Sequence, residues 1–139
     1  MTATLHQQKQ DHEHLRVLVV EDSDMLRVMF RKAFQVAHTI YAASGAKEGW
    51  RLYLDKTPDI VFVDIGLPDG NGHDLARMIK EKNPAAYIIM ATASDYVEDK
   101  EKAGQNLADG FITKPYNKKE INDYIERCID VRLRNSCRK

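Results

Sequence analysis

Short, nearly continuous apolar runs recur along the chain and predict buried β-strands. Each run is rich in Val, Ile or aromatic residues and lacks the strict alternation of a half-exposed strand. In chain order the runs lie at Leu15–Val20, His38–Ala42 (the weakest), Asp59–Asp64, Tyr87–Thr92 and Gly110–Thr113. Strands of this kind are typical of a parallel sheet that is covered on both faces.

Helical periodicity separates the apolar runs. A first helix begins near Ser23 or Asp24, either of which can act as its N-cap, and Ser44 is expected to cap the second helix. Further helical patterns lie around Leu75–Ile79, at the weakly periodic Asp95–Gly104 and around Ile121–Ile129. The alternation of strand and helix predicts a doubly wound α/β domain, with a five-stranded parallel sheet and five helices on both of its faces.

The length and the ends of the chain suggest a single domain. The 139 residues suffice for one hydrophobic core. We expect residues 1–14 to be a mobile polar leader, 15–133 to be the domain and 134–139 to be a basic C-terminal tail, with no output domain. The leader lacks the apolar stretch of a signal peptide. Two late cysteines, Cys128 and Cys137, form no disulfide framework and favour a cytoplasmic protein.

Charge and hydropathy exclude several classes of protein. Lys and Arg number 21 and Asp and Glu number 21, so the formal net charge is zero. This balance argues against a uniformly basic nucleic-acid-binding surface. No apolar run approaches the roughly 18 residues that a membrane span needs. We therefore expect neither direct DNA binding nor membrane insertion.

The residues that follow the predicted strands carry the candidate chemistry. Glu21 and Asp22 follow the first strand, Asp64 ends the third, Thr92 ends the fourth and Lys114 follows the fifth. In doubly wound sheets, ligands bind outside the carboxyl ends of the strands. Taken singly, each of these residues could be a helix cap or a surface group. As a set they predict a site at one edge of the sheet.

Three converging carboxylates repel one another and need a cation, or one of them must hold a proton. One lysine offsets a single charge, and a hard divalent cation such as Mg²⁺ suits the remaining oxygen ligands. A lysine and a hydroxyl beside such a metal can neutralise a transferring phosphoryl group. A carboxylate can also attack phosphorus to form an aspartyl-phosphate. Asp64, at the end of the central strand, is the best placed to be attacked.

The chain resembles the receiver domain of two-component response regulators. The resemblance extends over residues Leu15 to Leu133 and rests on VLVVEDSD at 17–24, VFVDIGLPDGNG at 61–72, IIMATAS at 88–94 and GFITKP at 110–115. It implies a flavodoxin-like strand order, 2-1-3-4-5. Of this family, the chain is most similar to the stand-alone, chemotaxis-type members.

The resemblance implies a metal site and a phosphoacceptor. Asp64 would accept the phosphoryl group. Asp22 and Asp64 would ligate Mg²⁺, or alternatively Mn²⁺, and Glu21 would act largely through water. The backbone carbonyl of Gly66 would supply a further oxygen.

The resemblance also implies a phosphoryl-binding set and a switch. Lys114 would hold one phosphoryl oxygen, and Thr92 and the backbone N–H of Ala93 would hydrogen-bond to the group. Thr92 would then move inward while Phe111 swings into the vacated space, which alters the face of the fourth helix, fifth strand and fifth helix. The Lys114–Pro115 peptide bond is cis in similar proteins.

The implied function is a phosphorylation-dependent signalling switch, not a classical enzyme, although it catalyses its own phosphoryl transfer and autodephosphorylation. Its phosphoryl donor would be a sensor histidine kinase or a histidine phosphotransfer protein, and its output a downstream target protein. Two alternatives stay open. The chain could be a relay intermediate that passes phosphate to a histidine phosphotransfer protein, or a pseudo-receiver that binds partners without phosphorylation.

Two other classes fit the residues poorly. A flavodoxin-like electron carrier would place the phosphate of FMN against the first strand's loop, where Glu21 and Asp22 would repel it. A phosphatase with an aspartyl nucleophile usually has a second carboxylate two residues later as general acid. Here that position is Gly66, which cannot transfer a proton.

Overall fold

The five apolar runs form one parallel sheet in the computed structural model, which describes residues 13–93 and 108–137. Its strands are β1 (Arg16–Val20), β2 (Thr39–Ala43), β3 (Ile60–Asp64), β4 (Tyr87–Thr92) and β5 (Gly110–Thr113). The order across the sheet is β2-β1-β3-β4-β5, and every pairing is parallel. The predicted fold class and strand order are therefore confirmed.

Helices cover both faces of the sheet. They are α1 (Asp24–Phe34), α2 (Ala46–Lys56), α3 (Gly72–Lys82) and a C-terminal helix (Lys118–Cys137). Phe30 and Phe34 of α1 and Ile125 of the C-terminal helix pack into the core on one face. Leu75 and Ile79 of α3 pack into the core on the other, together with α2. The predicted fourth helix, at 95–104, lies outside the described residues.

Burial follows from this layering. All five side chains of β3, including Asp64, are buried, because the central strand has a neighbour on each side and a helix layer on each face. Cys128 is 3% exposed within the apolar stripe of its helix, where a free thiol acts as a small hydrophobe. Among the described residues, no helix is long and apolar enough to cross a membrane.

The two predicted helix caps differ in outcome. Ser23 is the N-cap of α1, and its side chain accepts a hydrogen bond from the N–H of Leu26. The prediction that Ser44 caps α2 is wrong. The free N–H groups of Ala46 and Lys47 instead donate to the carboxylate of Asp69, at 2.6 and 3.1 Å. An acceptor from a distant loop has replaced the local one.

Residues at both ends of the described chain take part in the fold, while residues 1–12 of the predicted leader and 138–139 of the predicted tail lie outside the described residues. His14 lies against the sheet, with its Nε2 2.8 Å from Oγ1 of Thr39. The C-terminal helix continues to Cys137. A short antiparallel pairing of Gly66–Leu67 with Gly70–Asn71 follows β3 and leads the chain into α3.

Candidate metal centre at the carboxyl edge of the sheet

Three carboxylates meet where β1 and β3 end. Glu21, Asp22 and Asp64 each offer an oxygen, and these oxygens all lie within 4.8 Å of one another. β1 and β3 are hydrogen-bonded neighbours, paired through Val20 and Val63, so the residues that follow them lie side by side. Glu21 is 0% and Asp64 3% exposed, while Asp22 is exposed to solvent. The cluster is therefore open on the Asp22 side.

One ammonium group bridges the two buried carboxylates. Nζ of Lys114 donates to Oε1 of Glu21 at 3.0 Å and to Oδ2 of Asp64 at 3.0 Å. Lys114 reaches them from the end of β5, two strands away from β3 in the sheet. Its single positive charge faces three acidic groups, so the cluster keeps a negative surplus.

Backbone groups satisfy the other oxygens of the buried carboxylates. The N–H of Ser23 donates to Oε2 of Glu21 at 3.0 Å, and the N–H of Gly66 donates to Oδ1 of Asp64 at 3.2 Å. Both bonds come from the residue two positions further along the chain. They fix each carboxylate relative to its own loop.

Two contacts of Glu21 were not predicted from the sequence. The hydroxyl of Tyr116 donates to Oε1 of Glu21 at 2.9 Å, and Nη1 of Arg27 donates to the backbone carbonyl of Glu21 at 2.6 Å. The only signal for Tyr116 was its position two residues after Lys114. Arg27 carries no such signal, because its reach depends on how α1 turns away from β1.

The pKa values of the two buried carboxylates shift in opposite directions. Burial is the largest influence on Asp64, and together with repulsion from Glu21 it outweighs the bonds to Lys114 and raises the pKa of Asp64 to about 6. Burial also opposes ionisation of Glu21. There, hydrogen bonding with Ser23, with the side chain of Asp22, and with Lys114 and Tyr116 prevails, so the pKa of Glu21 is lowered. The pKa of Lys114 is raised, because its two carboxylate partners outweigh its burial.

The donor set fits a hard divalent cation. Every candidate ligand side chain is a carboxylate, and Mg²⁺ prefers such oxygens while keeping several of its waters. The exposed Asp22 and the exposed Gly66 border the open side, where waters can complete the coordination. Bound here, the cation would offset the surplus charge that Lys114 leaves.

The other predicted site residues lie at the same edge. Thr92 ends β4, the neighbour of β3, and is 6% exposed, and Ala93 after it is exposed. The backbone N–H of Lys114 donates to the carbonyl of Thr92 at 2.6 Å, which ties β5 to β4 at this end. The Lys114–Pro115 bond is cis. Phe111 is half-buried on β5 and packs against the core on the α2 and α3 face.

Comparison with known proteins agrees with this geometry. Residues 17–126 match the family model described as the response regulator receiver domain. The chain is 35% identical over 111 residues to the chemotaxis protein CheY of Halobacterium salinarum, which covers 79% of this chain and 92% of that protein.

A longer relative and a solved structure extend the comparison. The chain is 34% identical over 108 residues to the virulence transcriptional regulatory protein PhoP of Salmonella typhimurium, covering 77% of this chain but only 48% of PhoP. A crystal structure of a CheY-like receiver domain protein from Methanospirillum hungatei superposes with a TM-score of 0.82 at 23% identity, over 88% of this chain and 98% of that one. The chain therefore belongs to the response regulator receiver domain family of two-component systems.

Proposed function

We propose that this domain is a phosphorylation-dependent signalling switch that accepts a phosphoryl group on Asp64. One observation carries the proposal: the buried carboxylate of Asp64 lies 3.0 Å from the ammonium of Lys114, inside an acidic cluster that is open to solvent at Asp22. A nucleophile, a cation for the phosphoryl oxygens and a place for a metal would thus lie together at one edge of the sheet. Receiver domains bind Mg²⁺ at such an acidic pocket.

In the proposed reaction, a carboxylate oxygen of Asp64 attacks the phosphorus of a phospho-histidine on a kinase or phosphotransfer protein. The new P–O bond forms as the P–N bond breaks, and the imidazole nitrogen keeps the bonding pair and takes up a proton. Bound Mg²⁺ would supply charge neutralisation to the phosphoryl oxygens. Glu21, Asp22, Asp64 and the carbonyl of Gly66 would hold it. Lys114 would pair with a phosphoryl oxygen, which strengthens as charge develops on it.

The output would be a shift between two arrangements of the domain. The hydroxyl of Thr92 and the N–H of Ala93 would bind the phosphoryl group only in the active arrangement, so phosphorylation favours it. Phe111 would then turn inward. The face that changes would include β5 and the C-terminal helix, together with the predicted fourth helix, which lies outside the described residues. A downstream target protein would read that face, and the balanced charge of the chain supports a protein partner over DNA.

Intact mass spectrometry tests the acceptor directly. The protein is incubated with acetyl phosphate with and without Mg²⁺, alongside Asp64→Asn and the matched variant Asp74→Asn, which neutralises an exposed carboxylate on α3. We expect one adduct of ~80 Da in the wild type and in Asp74→Asn, and none in Asp64→Asn or without Mg²⁺. An adduct that persists in Asp64→Asn would show that another residue is phosphorylated.

If no adduct forms, either the phosphoryl group is lost quickly or the site does not accept one, and beryllofluoride binding distinguishes these two cases. A phosphoryl group that is lost quickly to water leaves a site that still binds this non-hydrolysable mimic with Mg²⁺. A site that binds neither is a pseudo-receiver, and the proposed function is then wrong.

A further inference from the structure

Tyr116 is the one aromatic hydroxyl that reaches the acidic cluster among the described residues. It donates to Oε1 of Glu21 at 2.9 Å, the same oxygen that accepts from Lys114 at 3.0 Å. Its ring packs edge-on against Phe30 of α1, with the ring centres 6.3 Å apart at 82°. The ring contact restrains the position from which the hydroxyl points at Glu21.

The buried carboxylate of Glu21 needs hydrogen-bond donors to both of its oxygens. It is 0% exposed, and a buried carboxylate without hydrogen-bond donors is strongly destabilising. Its donors are the N–H of Ser23 on Oε2 and the groups of Lys114 and Tyr116 on Oε1. Ser23 cannot serve Oε1 as well. Among the described residues, the hydrogen bonds to Oε1 come from Lys114 and Tyr116.

Two different partners compete for the ammonium group of Lys114. In the structure its ammonium is shared between Glu21 and Asp64. In the proposed reaction it pairs with a phosphoryl oxygen, and its contact with Glu21 weakens as it does so. If Lys114 were the sole donor to Oε1, that movement would leave a buried charge poorly satisfied. The hydroxyl of Tyr116 can stay on Oε1 throughout, because no step of the proposed reaction uses it.

We propose that Tyr116 is a positioning residue: it satisfies Oε1 of Glu21 so that Lys114 can leave that carboxylate for the phosphoryl group. This inference rests on the proposed function and deepens it. The inference predicts that the Tyr116 hydroxyl increases the affinity for the phosphoryl group but not the affinity for Mg²⁺ alone. The effect acts through Lys114, not through the cation.

Tyr116→Phe removes the hydroxyl and keeps the ring against Phe30. The test measures two affinities by calorimetry: that for Mg²⁺ alone, and that for beryllofluoride at saturating Mg²⁺, with ¹⁹F NMR to confirm the bound mimic. We expect beryllofluoride to bind about threefold to tenfold more weakly, the range that one hydrogen bond commands, and Mg²⁺ affinity not to fall. The matched control Tyr41→Phe, on β2, should leave both affinities unchanged.

Three results would overturn the inference. Tyr116→Phe could bind beryllofluoride as tightly as the wild type. It could lose Mg²⁺ affinity by the same factor, which would make Tyr116 a mere support of the metal site. Finally, Tyr116→Phe could weaken beryllofluoride binding just as much in a Glu21→Gln background. The effect would then not depend on the charge of Glu21, because the neutral amide of Gln needs no ionic partner. If the wild type itself binds no beryllofluoride, the proposed function is wrong. This outcome is distinct from the three above, because those require a measurable wild-type affinity.

Discussion

The ammonium of Lys114 lies 3.0 Å from Oδ2 of Asp64, although 50 residues separate the two along the chain. The contact exists because β5 and β3 run parallel and end at the same edge of one sheet, with β4 between them. It leaves Asp64 only partly compensated, since Glu21 shares the same ammonium. The burial and repulsion that remain are the reason for the raised pKa of Asp64.

Neutralising Asp64 should therefore stabilise the metal-free domain. An acid whose native pKa is raised to about 6 binds a proton more readily when folded, so its ionised form costs stability once the pH exceeds its unfolded pKa. Asp64→Asn removes that cost. We expect the free energy of unfolding at pH 7 to rise by about 1–2 kcal/mol, less than the pKa difference alone implies, because Lys114 loses a partner.

Urea denaturation with and without Mg²⁺ measures this effect. Mg²⁺ should stabilise the wild type, because the proposed site would bind it in the folded state, and should stabilise Asp64→Asn far less. Asp74→Asn serves as the control, since its exposed carboxylate lies outside the cluster, and should behave like the wild type in both buffers. An Asp64→Asn protein that is less stable than the wild type without metal would refute the electrostatic argument.

Much of the fold follows from patterns that act locally. The apolar runs predicted all five strands to within one residue at each end, because strands buried on both faces admit few polar residues. The rule that parallel strands share a carboxyl edge then predicted that Glu21, Asp22, Asp64 and Lys114 would lie near one another, as the structure places them.

Other features depend on contacts that no local pattern encodes. Asp69 caps a helix that begins 23 residues earlier, and the Glu21–Tyr116 bond spans 95 residues. Each depends on where a loop or ring lies once the layers have packed. Ser44 is a good N-cap by residue type, but Gly45 takes the N-cap position and Oγ of Ser44 donates to Glu48 instead.

Removing the distant cap should loosen the start of α2. In Asp69→Ala the N–H groups of Ala46 and Lys47 lose their acceptor, whereas Ser44→Ala removes a hydroxyl that caps nothing. We expect a lower melting temperature and faster hydrogen exchange at these two amides in Asp69→Ala, and little change in Ser44→Ala. If the two variants lose equal stability, the cap assignment fails.

The same interaction has a pH dependence of known sign. Hydrogen bonds from the N–H groups of Ala46 and Lys47 lower the pKa of Asp69. The stabilisation is therefore present above the unfolded pKa, about 3.9, and is lost as the pH falls through the lower native value. The difference in melting temperature between the wild type and Asp69→Ala should shrink across that acidic range.

Replacement by alanine should have different effects at two glycines beside the site. A Cβ on Gly72 would lie 2.2 Å from the backbone carbonyl oxygen of Asp64 and 2.8 Å from Cα of Ile65, so the backbone must move. A Cβ on Gly66 would meet nothing within 4 Å. We expect Gly72→Ala to cost about 1–3 kcal/mol of stability and Gly66→Ala to stay within about 0.5 kcal/mol.

Urea midpoints give these differences, and Mg²⁺ calorimetry adds a functional readout. Because the clash in Gly72→Ala displaces the backbone of Asp64, metal affinity should fall in that variant. Gly66→Ala keeps the backbone carbonyl that is proposed to face the cation, so its Mg²⁺ affinity should match the wild type. Equal losses in both variants would mean that the loop, not the close approach at Gly72, controls the site.

A buried histidine should lower the stability of the domain in mild acid and so oppose the stabilisation from protonation of Asp64. His38 is 7% exposed, and its Nδ1 accepts a hydrogen bond from the N–H of Leu15 at 3.1 Å. Burial, and secondarily the charge of His14, lowers the pKa of His38. The unfolded chain then binds a proton near pH 6.5 that the native state refuses, so stability falls as the pH drops from about 6.5 towards the lower native value.

His38→Asn separates this effect from the titration of the acidic cluster. Its amide oxygen can still accept from Leu15 but does not titrate, so the free energy of unfolding should fall less between pH 7.5 and 5.5 than in the wild type. His14→Asn should keep most of the wild-type dependence, because burial outranks the charge of His14 as the cause. Urea midpoints at the two pH values check both variants. Identical pH profiles for wild type and His38→Asn would show that the native state protonates His38 without penalty, and hence that the bond to Leu15 does not hold the ring neutral.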